Sequence, residues 1–267
     1  MPIDGATRIY AVIGDPIAAV RSPEWFNTLF ERRRVNAVLV PLHVAREDLA
    51  AAFHGLRAIR NLDGLVVTMP HKGPMCALLD VLSPTARAVG AVNVARRDAS
   101  GRWVGDMFDG RGCVQGLKRQ GHEVTGRAVF LLGAGAAGAA IAYALAEAGV
   151  RALDIDDHDV ERCNIVADTV RRAFPQVQVR RASLDAASPP DLAINATPLG
   201  MRPGDPMPFD PELLPSSTLV VDVITKPEVT PLLARALSTG HHVHTGGFMH
   251  EGQALHAALF FGFDPQR

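Results

Sequence analysis

Cysteine is scarce: the 267 residues include three, Cys76, Cys113 and Cys163, far apart and with no C-x-x-C pair. That excludes a disulfide framework and a thiolate zinc site, and it fits reduced thiols in a cytoplasmic protein. Aromatic residues make up only 6% against an apolar content of 48%, so the core must rest on Ala, Val and Leu. Excess charge is missing too. The net charge of −1 leaves no basic surface for nucleic acid and no acidic tail. No run is long and apolar enough to span a bilayer. The start, MPIDGATRIY, has no apolar core of the kind a signal peptide needs. There is no internal repeat and no low-complexity tract.

What is present is organised around Arg127–Asp156, RAVFLLGAGAAGAAIAYALAEAGVRALDID. The apolar run Ala128–Leu132 reads as a buried parallel strand. It opens into Gly133-Ala134-Gly135-Ala136-Ala137-Gly138, a match to G-x-G-x-x-G. A small-residue helix follows to Glu147, then a second strand, Ala152–Ile155, ending in Asp156. Each glycine has a distinct purpose: Gly133 turns the chain, Gly135 lets a pyrophosphate approach the backbone, and Gly138 lets the helix pack close to the sheet. The helix N-terminus offers free N–H groups and a positive dipole end to phosphates. Asp156 stands where a carboxylate would accept from a ribose hydroxyl. With no Arg directly after the strand, that acid favours NAD over NADP. The alternative is a Gly/Ala-rich helix in an ordinary α/β core, which explains the glycines but not the placement of the acid.

Strands are expected at Ile9–Ile13, Ala37–Leu42, Leu65–Val67, Gly90–Val94 and Trp103–Gly105, with a hairpin at Asp98–Gly101. Helices are expected from Ser22, as N-cap with Pro23 at the first helical position, to Arg34, and over Glu47–Arg57, Pro74–Leu82 and Val114–Gln120. Asp106–Gly112 reads as a loop. Beyond Asp156, helices are expected at Val160–Phe174, Thr230–Ser238 and His250–Phe261. Strands are expected at Val177–Arg180, Leu192–Asn195, Leu219–Val223 and His242–Thr245. The alternation implies an α/β fold with parallel sheets. Lys72 follows the third strand, where α/β proteins place active sites. His241-His242-x-His244 has no thiol or carboxylate beside it and reads as a polar strand edge, so no metal site is expected.

The ordered motifs resemble the shikimate/quinate dehydrogenase family. They are Gly14-Asp15-Pro16-Ile17 with Ser22-Pro23 and Asn27, Thr68-x-Pro70-x-Lys72, Gly90-Ala91-Val92-Asn93, and Gly105 through Asp109-Gly110. Asn195-x-Thr197-Pro198-x-Gly200-Met201, Thr230-Pro231-Leu232-Leu233 and Gly247-x-Met249-x-x-x-Gln253 complete the series. The resemblance implies an N-terminal α/β substrate domain, residues 1–108 completed by a C-terminal helix over 246–267. It also implies a Rossmann-like doubly wound NAD(P)-binding domain over 109–245, with substrate in a cleft between the two. The implied reaction is reversible oxidation of a ring hydroxyl of shikimate, quinate or a related cyclic hydroxy acid. The implied catalytic pair is Lys72 and Asp109; Thr68, Asn93 and Gln253 hold substrate hydroxyls, and Ser22 faces the carboxylate. Cofactor contacts fall to Gly133, Ala134, Gly135, Ala136, Ala137, Asp156, Asn195, Thr197, Pro198, Val223, Gly246 and Met249. The expected partner is a small cyclic acid, with no nucleic acid or membrane, in a monomer or homodimer.

The departures from that family pattern cluster in the pocket. Val20 replaces one of two expected hydroxyls, and Val66 and Met107 stand where the family usually has Asn, with Val67 and Phe108 following. Thr225 stands where the family often has Tyr. A hydroxyl lost from a polar pocket leaves a substrate group unpaired, at about 1–3 kcal/mol. These changes suggest a divergent branch with an altered substrate. An amino-substituted ring acid, or a dinucleotide-binding sensor whose activity has decayed, are the alternatives.

Overall fold

Among the described residues the apolar runs build two six-stranded sheets. The chain is seen in a computed structural model that describes residues 3–184 and 188–265. The described residues through Phe108, with those from Ala254 onward, form one unit, and Asp109–Gln253 form the other.

The first unit contains β1 (Arg8–Gly14), α1 (Ser22–Arg33), β2 (Ala37–His43), α2 (Leu49–Ala58), β3 (Leu62–Val67), β4 (Val81–Leu82), α3 (Pro84–Val89), β5 (Val94–Arg97) and β6 (Trp103–Asp106). Its strand order is β2-β1-β3-β5-β6-β4. β1 is the spine, parallel to both β2 and β3, and its Ala11, Val12 and Ile13 are fully buried. The all-parallel expectation fails here. β5 runs antiparallel to β3 and β6, because the turn at Asp98–Arg102 is far too short for a crossover. Asp98 holds that turn by accepting from the backbone N–H of Ser100 and of Arg102.

Other local expectations also shift. Ser22 is the first helical residue rather than the cap; Arg21 occupies the cap position and its side chain makes no capping bond. The expected helix Pro74–Leu82 is a single tight turn, Pro74–Ala77, followed by β4. Asp80 N–H donates to Trp103 O and draws the chain onto β6 instead. The expected strand Gly90–Val94 begins only at Val94, since Gly90 caps α3 with φ of 71°. Aromatic residues, though few, are concentrated in one place. Tyr10 of β1 packs within 5.5 Å, centroid to centroid, of Phe30, Phe261 and Phe263, and Phe26 joins them. Each such pair contributes about 0.5–1.5 kcal/mol beyond its buried area.

The second unit contains α4 (Asp109–Arg119), β7 (Ala128–Leu132), α5 (Ala136–Glu147), β8 (Ala152–Asp156), α6 (Val160–Ala173), β9 (Gln178–Arg181), β10 (Leu192–Asn195), β11 (Leu219–Asp222), α7 (Pro231–Ser238), β12 (Val243–His244) and the start of α8 (Gly246–Phe260). Its sheet is wholly parallel in the order β12-β11-β10-β7-β8-β9, reversing beside β7. That is the Rossmann order, and the architecture is two-domain α/β. α4 fills most of the expected loop Asp106–Gly112. Its glycines disguise a helix, and they serve close packing. A Cβ at Gly110 would collide with the Ala140 carbonyl of α5, and one at Gly112 with the backbone at Gln253 of α8.

The histidine run leads into the edge strand β12, as expected, but most of it is buried. His242 alone is exposed, while His241 and His244 are buried. Among the described residues neither ring nitrogen of His244 has a hydrogen-bond partner, and its ring packs on Phe248 at 4.9 Å and edge-on to His122 at 6.1 Å. Burial, with the His122 charge second, brings the His244 pKa down to about 4. The folded chain therefore keeps His244 neutral while the unfolded chain takes up a proton near its ordinary value. Stability from this group is intact above about pH 6.5 and is lost as pH falls toward 4, by at most about 1.4 kcal/mol per unit. Chemical denaturation across pH 4–7 should show a shallower slope for His244→Phe than for wild type; equal slopes would refute the assignment.

Candidate active site

In the first unit, three of the residues singled out by the motifs come together. β3 ends at Val67 and empties into Thr68, the cis Met69–Pro70 bond, His71 and Lys72. Val67 N–H donates to Asn93 O at 2.7 Å, and Val92 N–H donates to Lys72 O at 2.9 Å. These two bonds stitch the 68–72 loop to the 90–93 segment, so Thr68, Lys72 and Asn93 share one end of the sheet. His71 anchors the loop. It is fully buried and its Nε2 meets Val44 O at 2.8 Å. Lys72 and Thr68 are half-buried and Asn93 is buried. The Asn93 Oδ1 accepts Phe108 N–H at 2.9 Å, which orients its amide.

Ser22 is not bonded into that stitch. It lies buried at the first turn of α1. Asn27 of the same motif proves structural. Its amide donates to Leu39 O and accepts Leu39 N–H, stapling α1 to β2. The departures have a packing reason. Val20 and Val66 pack against the cluster around Tyr10 and Phe26, while Met107 and Phe108 are buried. Phe108 stacks on His256 at 5.5 Å.

In the second unit, Asp109 is the first residue of α4 and is 1% exposed. A carboxylate there is stabilised by the positive end of the helix. Its charge, after burial, helps push the Cys113 thiol one turn on up to about 12, so that thiol stays protonated. Gln253 lies on α8, beside Gly112 of α4 where the two helices touch. Glu251 faces outward and pairs with Arg119 at 3.3 Å.

The glycine loop has the geometry a dinucleotide requires. Gly133 takes φ of 108°, which only glycine adopts readily. A Cβ at Gly138 would strike the Gly133 carbonyl, so the start of α5 lies tight on the strand. Gly135, at the α5 N-cap, faces open space, where a Cβ would meet no atom within 4 Å. Ala136 and Ala137 form the first turn behind it, half-buried. A pyrophosphate fits this cradle on both sterics and dipole. Asp157, which motif spacing does not single out, holds the loop in shape: its Oδ2 accepts Ala134 N–H at 2.6 Å. The Asp156 main-chain O accepts Gly133 N–H at 2.7 Å.

Asn195 ends β10 and Thr197 and Pro198 follow it, and Val223 follows β11, at the same carboxyl edge. Gly246 opens α8 against the Val223 and Ile224 carbonyls, where no Cβ would fit. Met249, one turn on, is buried. Among the described residues no group of three metal-ligating side chains occurs, and no helix is long and apolar enough to cross a membrane.

Comparison with known proteins gives a consistent picture. Residues 12–95 match the family model for the shikimate dehydrogenase substrate binding domain. The chain is 39% identical over 236 residues to the shikimate dehydrogenase (NADP(+)) of Rubrobacter xylanophilus, covering 88% of this chain and 83% of that one. The crystal structure of shikimate 5-dehydrogenase from Listeria monocytogenes with shikimate and NAD superposes with a TM-score of 0.88 at 28% identity, covering 98% and 94% of the two chains. That from Thermus thermophilus with NADP(H) and shikimate gives 0.85 at 30%, covering 97% and 96%.

These findings overturn the expected preference for NAD. Further curated relatives carry the same NADP(+)-dependent name, and solved neighbours hold NADP. The inference from Asp156 looked for a cation only in the residues directly after the strand. Charge near the end of β8 also depends on β9: Arg181 lies in register beside Ile155, and its charge and that of Asp156 both act on Cys163. Sequence coverage of this extent and the shared architecture place the chain in the shikimate dehydrogenase family, an oxidoreductase family.

Proposed function

We propose that this protein catalyses the reversible, NADP-dependent oxidation of a ring hydroxyl of shikimate to the 3-dehydro acid. The observation that carries the reading is the convergence of Thr68, Lys72 and Asn93 at one end of the first sheet, stitched by the two backbone bonds of the 68–72 loop. A dinucleotide held at the glycine loop would supply the acceptor for the hydride of the carbinol carbon.

The remaining work falls to the chain. Lys72 Nζ accepts the hydroxyl proton in oxidation and returns it in reduction. Its charged form also stabilises the alkoxide that develops as hydride departs. Asp109 orients the reacting hydroxyl from its fixed place at the start of α4. Asn93, held by its bond to Phe108 N–H, directs its amide to a neighbouring ring hydroxyl, and Thr68 and Gln253 serve the others. Ser22 faces the ring carboxylate. The glycine loop, Asn195, Thr197, Pro198, Val223, Gly246 and Met249 line the cofactor. The N-terminal unit, completed by the end of α8, is the substrate domain, and the Rossmann-like unit is the cofactor domain.

Reduced-cofactor absorbance, with shikimate and quinate each offered with NADP and NAD, tests the reading. Shikimate with NADP should give the highest kcat/KM, and Lys72→Ala should lower kcat by about 10²–10⁴. A wild-type enzyme inert toward shikimate would sink the proposal. The open space at Gly135 supports a second test. Gly135→Val should abolish NADP binding by calorimetry while shifting Tm by no more than a few degrees, since a Cβ at this position meets no protein atom within 4 Å. Retained binding would remove the cradle from the cofactor site.

A further inference from the structure

Asp222 ends β11 and is wholly buried, yet no step above uses it. Its Oδ1 accepts from Asn195 Nδ2 at 3.2 Å and from Ile224 N–H at 3.1 Å. Its Oδ2 accepts from Thr230 Oγ1 at 2.7 Å. The donors come from three segments: the end of β10, the loop after β11 and the cap of α7.

The bonds continue outward with a fixed direction. The Thr230 hydroxyl, having donated to the carboxylate, accepts Leu233 N–H in the first turn of α7. The Asn195 amide, with its N–H₂ turned toward Asp222 and Leu199 O, must present its Oδ1 to Thr197. That oxygen accepts Thr197 N–H at 3.0 Å and Thr197 Oγ1 at 2.7 Å, and the Thr197 oxygen in turn accepts Leu199 N–H. An acceptor-only group at the centre therefore sets the orientation of every member. Burial raises the Asp222 pKa, and the bonds from Thr230, Ile224 and Asn195 oppose the rise. From the other side, Gly246 closes on the Val223 and Ile224 carbonyls.

The location gives the network a purpose. In this strand order the dinucleotide crosses the carboxyl edge at β7. Asp156 and the β8 edge serve the adenosine half, which leaves the loops after β10 and β11 to the nicotinamide half. We propose that Asp222 is a positioning residue, which through Asn195 and Thr230 fixes the two loops that receive the nicotinamide. The inference rests on the dehydrogenase reading above.

The test uses the full chain and the variants Asp222→Asn, Thr230→Val and Thr230→Ser. Calorimetry gives Kd for NADP⁺ and for 2′,5′-ADP, which lacks the nicotinamide, and steady-state kinetics give kcat and KM. Asp222→Asn should weaken NADP⁺ by roughly tenfold, the worth of one hydrogen bond to a charged group, and leave 2′,5′-ADP within about twofold. It should lower kcat with little change in KM for shikimate. Thr230→Val should do the same, and Thr230→Ser, which keeps the hydroxyl, should match wild type. Equal weakening of both nucleotides, no weakening of either, or a serine variant as impaired as the valine would overturn the inference. If Asp222→Asn does not fold, the Thr230 pair decides. A wild type that binds NADP⁺ but does not oxidise shikimate would overturn the proposed activity alone, and the nucleotide contrast would still judge Asp222. A wild type that binds no NADP⁺ would overturn both.

Discussion

The second unit depends on backbones that approach more closely than any Cβ allows. α5 lies on the Gly133 carbonyl because residue 138 is glycine, and α4 lies on α5 because residue 110 is glycine. α8 meets α4 through Gly112 and Gly252 and meets the loop after β11 through Gly246. These contacts set where α5 begins, and hence where its free N–H groups point. They also set where Asp109 and Gln253 sit on their helices. Packing of this kind tolerates almost no added volume, since overpacking costs typically about 1–3 kcal/mol. The glycine content of the chain is therefore structural precision rather than looseness.

That same feature decided what could be read in advance. The glycine fingerprint was legible because each glycine has a separate geometric demand: the fold turns at Gly133, packs tightly at Gly138 and leaves open space at Gly135. Gly110 and Gly112 misled, because their low helix propensity pointed to a loop where tertiary packing imposes a helix. The stretch Pro74–Leu82 has the composition of a helix, but after one tight turn a bond from Asp80 N–H to Trp103 O captures its end, Val81–Leu82, as strand. α3 carried a readable start in Ser83-Pro84, with the serine accepting Ala86 N–H, but was too short to show periodicity. Antiparallel pairing in the first sheet was implicit in the recognised hairpin and outweighs the general alternation of strands and helices.

At the site, single residues were more legible than their relations. The lysine loop was evident from its place after a buried strand. Its stitching to the Asn93 segment was not, since backbone bonds leave no mark on composition. Asn27 belongs to a motif but staples a helix to a strand, and Asp157 lies in no motif yet shapes the glycine loop. The expected NAD preference, which the NADP(+)-named relatives contradict, rested on local sequence alone. Charge at the end of β8 depends on β9 as well, and a neighbouring strand is distant in sequence. The apolar replacements Val20 and Val66 look like losses when judged as pocket residues; in the fold they extend an aromatic core.

The helix that closes the chain also sets an order of assembly. The aromatic core around Tyr10 and Phe26 is completed by Ala257, Ala258, Phe261 and Phe263. The strands of the first unit thus precede Asp109–Gln253 in the chain, while part of its core lies beyond that stretch. Asp109–Gln253, by contrast, is contiguous and holds its own sheet. During translation the later unit can consolidate first, while the earlier one waits with its apolar strands only partly covered. Contacts spanning nearly the whole chain slow such closure. A core closed by residues on both sides of an intervening unit therefore makes the first unit the later of the two to be completed.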